Sequence, residues 1–280
     1  MANNGGKANN KRIFAIIGAV VVVFFIIILL KSPTTTNSSG SDAPASKAII
    51  NQITSVPNSV SSSVGGGSVT VSASTISGKP YQTSGGLPNI LYMGAEYCPY
   101  CATERWPMII ALSKFGTFSN LQTTHSSSSD VYPNTQTFSF HGSSFTSKYI
   151  GFTPVEMFSN IPSGNGYTTL DTATSTEQSL MNTYDAPPYT TSSNQGAIPF
   201  IYFAGKYLVV GATYSPQVLQ GQSYQSIANA LSNPKSSTDK SIAKGVLGAA
   251  NSMTAIVCKL TNNQPATACT PTIKNMEASI

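Results

Sequence analysis

Blocks of very different hydrophobic and polar character divide this chain. The first apolar block runs from Ile13 to Leu30 and contains no charged side chain. A helix of this length spans about 27 Å, close to the hydrocarbon thickness of a bilayer. The pattern therefore predicts a single transmembrane helix over residues 13–30. The alternative is a cleaved signal peptide with Ala43-Pro44-Ala45 as its cleavage site, although the apolar block is longer than the roughly 7–15 residues typical of such peptides.

A polar stretch rich in Ser, Thr, Gly and Pro follows, from residue 31 to about residue 86. Such a stretch buries too little apolar surface to offset the entropy of ordering it, which predicts a linker. Two parts of it have periodic apolar positions, so that Lys47–Val56 predicts a short helix and Ser68–Ser74 an edge strand. Asn37 begins an Asn-Ser-Ser sequon and is a candidate glycosylation site on this exposed tether.

Apolar runs of strand length begin near residue 87. Asn89–Gly94 predicts a buried central strand. The cysteine motif Cys98–Cys101 follows, and helical spacing of the apolar residues after it predicts a helix that Pro107 kinks. Further strands and helices are predicted at Phe138–His141, Phe152–Phe158, Glu177–Tyr184, Ala197–Phe203, Tyr207–Gly211, Ser215–Leu231 and Ile242–Leu260. This order predicts an α/β domain over residues 87–232 and a helical extension over residues 233–280.

The charge of the chain is low and unevenly placed. Only 9% of its 280 residues are charged, and much of its polarity comes from 40 Ser and 30 Thr. Lys7, Lys11 and Arg12 precede the apolar block, so the positive-inside rule places residues 1–12 in the cytoplasm and the rest of the chain outside the cell. Beyond Lys31 there are eleven basic and ten acidic residues, without the basic stripe that a row of phosphates requires. A nucleic-acid partner is therefore not expected.

The motif Cys98-Pro99-Tyr100-Cys101 carries the sharpest chemical signal. Two cysteines separated by two residues at the start of a helix lie within disulfide range. The unpaired N–H groups and the dipole of the helix start lower the pKa of Cys98 below the ~8.5 of a free thiol, and we expect its sulfur to be exposed. Cys101 lies one turn further in, where it is protected and able to resolve a mixed disulfide. Pro99 suits the first turn because its missing N–H needs no partner there.

The cysteine motif and the segments around it resemble those of the thioredoxin-like superfamily. The match comprises the strand before the motif, the motif opening a proline-kinked helix, and Ile198-Pro199 before a hairpin about a hundred residues later. The resemblance implies a thioredoxin-like fold, with a mixed central sheet flanked by helices. It also implies that Cys98 is the nucleophile, Cys101 the resolving thiol, Pro199 a cis proline and Ile198 a backbone contact to the substrate. The Pro99-Tyr100 dipeptide is similar to that of glutaredoxins, and the whole chain resembles an archaeal membrane-anchored thioredoxin-like family of unknown function.

Two features of the motif region allow other interpretations. Glu96 is either a turn carboxylate that points to solvent or a proton acceptor for Cys101, and we favour the former. The cysteine motif is either a redox pair, a structural disulfide, or half of a zinc or copper site. Zinc requires two further ligands, and the only histidines, His125 and His141, stand alone in the sequence, so we predict no metal site.

Cys258 and Cys269 form a second candidate pair. Four cysteines allow three pairings, and the short separation, with Pro265 bending the intervening loop, favours local disulfides 98–101 and 258–269. Our interpretation of 258–269 is a structural clamp on the last helix. The alternative is a second redox pair that relays electrons to or from Cys101.

Together these features predict a membrane-anchored thiol–disulfide oxidoreductase that works outside the cell without a cofactor. In an oxidising compartment the expected reaction is disulfide formation or isomerisation in exported, cysteine-containing proteins. A quinone-linked membrane oxidase is the expected partner that re-oxidises the pair. The alternative is a redox-inert or copper(I)-binding subunit or assembly factor of a membrane complex.

Overall fold

Our computed structural model describes residues 43–278 and 280, which form short strands and helices. The predicted transmembrane helix at 13–30 and the sequon at Asn37 lie outside these residues. The strands are β1 (Ala43–Pro44), β2 (Ser74–Thr75), β3 (Asn89–Gly94), β4 (Gly116–Ser119), β5 (Gln122–His125), β6 (Gln136–Ser139), β7 (Ser144–Ser147), β8 (Gly151–Glu156), β9 (Phe158–Ser163), β10 (Gly166–Thr169), β11 (Phe200–Phe203) and β12 (Tyr207–Val210). The helices are α1 (Lys47–Thr54), α2 (Asn58–Val64), α3 (Pro99–Leu112), α4 (Ser175–Tyr184), α5 (Tyr224–Ser232), α6 (Ser237–Leu260) and α7 (Pro271–Glu277), with 3₁₀ turns at Ser192–Asn194 and Pro216–Leu219.

A mixed five-stranded sheet forms the centre of the fold, in the order β2-β12-β11-β3-β8. β3 runs parallel to β8 and antiparallel to β11, and the β11–β12 hairpin carries the sheet to β2 at its edge. All six residues of β3 are buried, as its apolar run predicted. The predicted α/β class with a mixed sheet and helices is therefore confirmed.

The β11–β12 hairpin forms where two apolar runs meet around a tight turn. Phe203 pairs with Tyr207, and the turn residues Ala204 and Gly205 both have positive φ, at 52° and 82°. A side chain at Gly205 would also crowd the carbonyl of Lys79, so glycine is required at this position. The hairpin matters for function because β11 begins directly after Ile198-Pro199.

The last long helix belongs to the main core of the domain and does not form a separate extension. Val246, Ala250 and Met253 of α6 pack in the same apolar cluster as Trp106 and Ile109 of α3. Among the described residues, α6 is the helix that is long and apolar enough to cross a membrane, but 83% of its most apolar window is buried inside the protein. Its hydrophobicity therefore reflects its place in the core.

Residues 43–86, expected to be part of a linker, contain ordered structure. Ile53 of α1 is fully buried against the core, and the edge strand predicted at Ser68–Ser74 is observed at Ser74–Thr75. The side-chain amide of Asn251 on α6 donates hydrogen bonds to the carbonyls of Ser61 (2.9 Å) and Gly65 (2.8 Å). Composition alone hides this docking, because a few apolar side chains and backbone hydrogen bonds suffice to order a polar segment on an existing surface.

The long segment between α3 and β11 forms additional antiparallel pairs outside the central sheet. β4 pairs with β7, β5 pairs with both β1 and β6, and β9 pairs with β10. The predicted strands near 138–141 and 152–158 correspond to β6 and β8. The helix predicted from Ser215 to Leu231 is interrupted, since Gly221 has a φ of 71° and Ser223 caps a new helix.

Candidate active site at the cysteine motif

Cys98 and Cys101 occupy the first turn of α3, after the loop that leaves β3. Cys98 is the N-cap residue, with an extended backbone (φ −78°, ψ 122°), and its carbonyl accepts the Ala102 N–H at 2.9 Å. Pro99 is in the first helical turn, as its fixed φ and missing N–H favour. Both cysteines are free thiols. The structure therefore holds the pair in its reduced state, whereas the short separation of the two cysteines had favoured a disulfide between them.

Cys98 is less accessible than we expected from the motif. Its exposed fraction is 6% and that of Cys101 is zero, so Cys98 provides the solvent contact of the pair. Two segments distant in sequence border it. The Ser127 N–H donates to the Tyr97 carbonyl at 2.8 Å, and the Ile198 carbonyl oxygen lies 3.8 Å from the Cys98 sulfur. A local motif does not reveal such tertiary cover.

The two thiols differ in acidity. A hydrogen bond from the Cys101 thiol is the main cause that lowers the pKa of Cys98, the N–H groups of Cys101 and Tyr100 add to it, and burial opposes it. Burial raises the pKa of Cys101 well above that of an ordinary thiol. The thiolate therefore forms first on Cys98, which is the order that a nucleophile at Cys98 and a resolving thiol at Cys101 require.

Ile198 and Pro199 lie next to the cysteine motif. The Ile198–Pro199 peptide bond is cis, and the Cys98 thiol points to the Ile198 carbonyl although the two residues are 100 positions apart. The Gly211 N–H donates to the Pro199 carbonyl at 2.8 Å, which ties this segment to the end of β12. The structure thus brings together the four residues that the resemblance singled out.

A buried ion pair lies near the cysteines, and sequence reasoning missed it. Arg105 and Glu156 both have zero side-chain exposure, and Arg105 donates from Nε (2.7 Å) and Nη2 (2.6 Å) to the two carboxylate oxygens. Arg105 contributes to lowering the pKa of both cysteines. The available signals were an arginine four residues after Cys101 within an apolar helix and a glutamate ending the apolar strand β8.

Glu96 does not point to solvent, which corrects our favoured interpretation. The residue is fully buried, its N–H donates to the Phe158 carbonyl at 2.8 Å, and neither carboxylate oxygen makes a hydrogen bond of standard geometry. Burial raises the pKa of Glu96, while Ser139 and Arg105 nearby lower it. The carboxyl group therefore faces the neighbourhood of the Arg105–Glu156 pair. Its role as a proton acceptor for Cys101 stays a prediction.

Four tyrosines, which we call the tyrosine rim, flank the cysteine motif. Tyr97 stacks on Tyr167 with ring centroids 4.3 Å apart, and Tyr100 meets Tyr132 edge-on at 6.2 Å. Tyr100 is 40% exposed. The segments that supply Tyr132 and Tyr167 also carry exposed apolar side chains, at Val131, Phe158 and Ile161. The segments that contribute to the tyrosine rim thus also expose apolar side chains.

A family model described as a domain of unknown function, DUF929, matches residues 73–259, about two thirds of the chain. The chain belongs to the DUF929 family. No curated protein and no solved structure matches it. The DUF929 match contains the cysteine motif, Ile198-Pro199 and the Arg105–Glu156 pair, so the whole candidate site lies within the family domain.

The second cysteine pair of this DUF929 protein is a disulfide. Cys258 and Cys269 are joined, with Cα atoms 5.7 Å apart, and both side chains are buried. The bridge connects the end of α6 to the loop before α7, as a clamp on the last helix requires. Cys269 lies beyond the DUF929 match, which ends at residue 259.

The described residues contain no group of three or more His, Cys, Asp or Glu side chains that could hold a metal ion. His141 instead pairs with Asp171, with Nδ1 and Oδ1 2.6 Å apart, and His125 Nδ1 lies 2.9 Å from the Ser126 carbonyl oxygen. Neither histidine therefore completes a zinc site with the cysteine motif in this arrangement.

Proposed function

We propose that the chain is a membrane-anchored thiol–disulfide oxidoreductase of thioredoxin-like type that acts on exported proteins. The observation that carries the proposal is the Ile198 carbonyl oxygen 3.8 Å from the Cys98 sulfur. A peptide carbonyl beside a nucleophilic sulfur accepts an N–H from an extended substrate backbone and so holds a substrate cysteine at Cys98.

The fold supports the thioredoxin-like part of the proposal. A buried strand leads into the motif at a helix start, a parallel neighbour (β8) lies on one side of that strand, and an antiparallel hairpin lies on the other. The hairpin begins at Phe200, two residues after Ile198, whose carbonyl oxygen meets Cys98. This mixed sheet with the motif at a helix start is the support that the fold gives to the thioredoxin-like part of the proposal.

The chemistry is an exchange of two electrons between thiol pairs. With the motif oxidised, a substrate thiolate attacks Cys98, the Cys98–Cys101 bond breaks, and Cys101 leaves as a thiolate that takes up a proton. A second substrate thiolate then attacks the substrate sulfur of the mixed disulfide and releases Cys98. The two substrate thiols lose two electrons and two protons. The cysteine pair gains both electrons and one proton, which Cys101 takes up, and the other proton stays in the solvent while Cys98 is a thiolate.

Several features favour the oxidising direction outside the cytoplasm. The Cys258–Cys269 bridge is typical of exported proteins. A lowered pKa of Cys98 stabilises the reduced motif, and a stabilised reduced form makes the corresponding disulfide a stronger oxidant. Each further turnover requires re-oxidation of the motif, for which we propose a quinone-linked membrane oxidase. The transmembrane helix that the sequence predicts at 13–30 would keep the domain at the membrane.

The test is oxidation of a reduced two-cysteine peptide by the purified full chain in detergent. We expect activity from the parent protein and its loss in Cys98→Ser, because that variant has no nucleophilic sulfur. The matched control is the double variant Cys258→Ser/Cys269→Ser, which lacks the other pair and should retain activity. Unchanged activity in Cys98→Ser would overturn the proposal, and stoichiometric copper(I) uptake without exchange would favour the copper(I)-binding alternative.

A further inference from the structure

The buried cation of Arg105 has an unusual set of partners. Its Nε and Nη2 bind Glu156, while Nη1 makes no hydrogen bond of standard geometry. Glu156 is fixed independently, since its Oε1 also accepts the Phe140 N–H at 3.2 Å. The guanidinium is therefore held at one edge and leaves a buried donor on the other. A buried ion pair contributes little net stability, so its retention calls for another explanation.

Arg105 lies on the same face of α3 as Cys101, because the two residues are four positions apart in one helix. Both also meet Tyr92 of β3. The Arg105 Cζ atom lies 5.9 Å from the Tyr92 ring centroid, and the buried Tyr92 hydroxyl, which makes no hydrogen bond of standard geometry, is in electrostatic reach of the Cys101 thiol. The cation, the tyrosine and the resolving thiol thus form one buried cluster beneath the motif.

Other titratable groups around Arg105 come from four further segments. Glu96 precedes the motif, and Glu156 ends β8. His141 and Asp171 form a partly exposed pair, and Asp171 Oδ2 accepts the Glu156 N–H at 3.0 Å. Within this group, Arg105 is a fully buried cation, and its charge lowers the pKa of both Cys98 and Cys101.

We propose that Arg105, oriented by Glu156, is a positioning residue that holds a positive charge against the cysteine pair and stabilises its thiolate form relative to the disulfide. The inference rests on the proposed function and adds its regulation, namely what sets the oxidising strength of the motif. Reduction of the Cys98–Cys101 disulfide takes up two electrons, and a thiolate retained on Cys98 needs one proton fewer than a dithiol. The buried charge compensates for that missing proton.

The experiment measures the motif itself and does not depend on a client. The pKa of Cys98 is obtained from the pH dependence of thiolate absorbance in the full chain, with Cys98→Ser as the blank. The equilibrium constant with glutathione is obtained by trapping free thiols. The informative variant is Arg105→Met/Glu156→Leu, which removes both charges and leaves no buried ion unpaired. Arg105→Lys retains the positive charge without the bidentate geometry.

We expect the double variant to raise the pKa of Cys98 and to make the motif about tenfold less oxidising against glutathione, which corresponds to about 30 mV. Arg105→Lys should keep most of the parent values. The matched control is Glu104→Gln, since Glu104 is the neighbouring residue of α3 and is equally buried. This control should leave both quantities unchanged.

Unchanged values in a folded double variant would overturn the role of Arg105. If the double variant does not fold, the parent decides the matter, because a Cys98 pKa at or above the ~8.5 of a free thiol contradicts a stabilising cation. The two proposals fail separately. If the parent is inactive but the pKa of Cys98 shifts in the variants, the proposed enzymatic function is wrong and the role of Arg105 stands. If the parent is active but the variants leave the pKa of Cys98 and the equilibrium constant unchanged, the enzymatic function stands and the role of Arg105 is wrong.

Discussion

Glu104 and Thr213 lie 109 residues apart, and two hydrogen bonds join them inside the protein. Glu104 Oε2 accepts the Thr213 N–H at 2.9 Å and the Thr213 hydroxyl at 3.0 Å. The other carboxylate oxygen makes no hydrogen bond. Burial is the main cause that raises the pKa of Glu104 from 4.5 to about 7, and the two hydrogen bonds from Thr213 oppose it. This carboxyl group therefore couples the stability of the fold to pH.

The first prediction concerns that coupling. Between about pH 4.5 and 7 the unfolded chain has released the Glu104 proton while the folded chain still binds it, so stability falls as pH rises through this window and levels off above it. The shift corresponds to about 3 kcal/mol for this group. In Glu104→Gln the side chain is neutral at every pH, so the free energy of unfolding should decrease less between these pH values than it does in the parent.

Urea unfolding at pH 4.5 and pH 7.5 gives the free energy of unfolding of the parent protein and of Glu104→Gln. Burial also raises the pKa of Asp185 to about 7, and both proteins contain Asp185. The change in the free energy of unfolding between the two pH values is therefore compared between the parent and the variant, so that the contribution of Asp185 cancels. An identical pH dependence in the parent and in Glu104→Gln would contradict the assignment.

The second prediction tests the docking of residues 58–73 on α6. A Cβ atom at Gly67 would overlap the carbonyl of Lys244, which already accepts the Ser68 N–H at 3.1 Å. Gly65 has almost the same φ, 57° against 55°, but nothing lies within 4 Å of its Cβ position. Gly65→Ala should therefore lose about 1–3 kcal/mol from the backbone conformation alone (φ 57°, ψ −129°), and Gly67→Ala should lose more because the overlap with Lys244 is added. Thermal unfolding of the two variants decides this, and equal losses would argue against the docked arrangement.

The third prediction concerns the Cys258–Cys269 clamp. The bridge closes a loop with a sequence separation of 11, for which chain entropy gives about 3 kcal/mol. Cys258→Ala/Cys269→Ala should therefore lower the free energy of unfolding by about this amount, measured in denaturant without reductant. If the pair instead relays electrons to the motif, the variant loses peptide-oxidation activity even under conditions in which it remains folded.

The fourth prediction tests the tyrosine rim as a contact for protein substrates. Tyr167→Ala removes the ring stacked on Tyr97, so it should weaken binding of a cysteine peptide with apolar neighbours by about tenfold. Reaction with a small aromatic-free disulfide should change little. The two KM values give the comparison, with Tyr149→Ala as a control tyrosine outside the rim. Equal effects on both substrates would mean that Tyr167 supports the site's structure rather than its substrate contacts.

Much of the local structure was predictable because it depends on short-range patterns. The apolar run of β3, the helix start at the cysteine motif and the turn at Gly205 each express a local preference of a few residues. The same reasoning misjudged residues 43–86, since Asn251 and the buried face of α6 that order them lie almost two hundred residues away. It also misjudged Glu96, because a turn position does not reveal what packs over it.

The local sequence was sufficient to identify which cysteines are candidates for exchange and to predict that the first is the more acidic, because helix-start N–H groups act within one turn. The folded domain was needed to show that the Ile198 carbonyl borders Cys98, that Arg105 and Glu156 form a buried pair beneath the motif, and that Cys98 is nearly covered. These contacts join residues 51 to 100 positions apart. Partners so distant along the chain are selected by packing of the whole domain, and no local pattern encodes them.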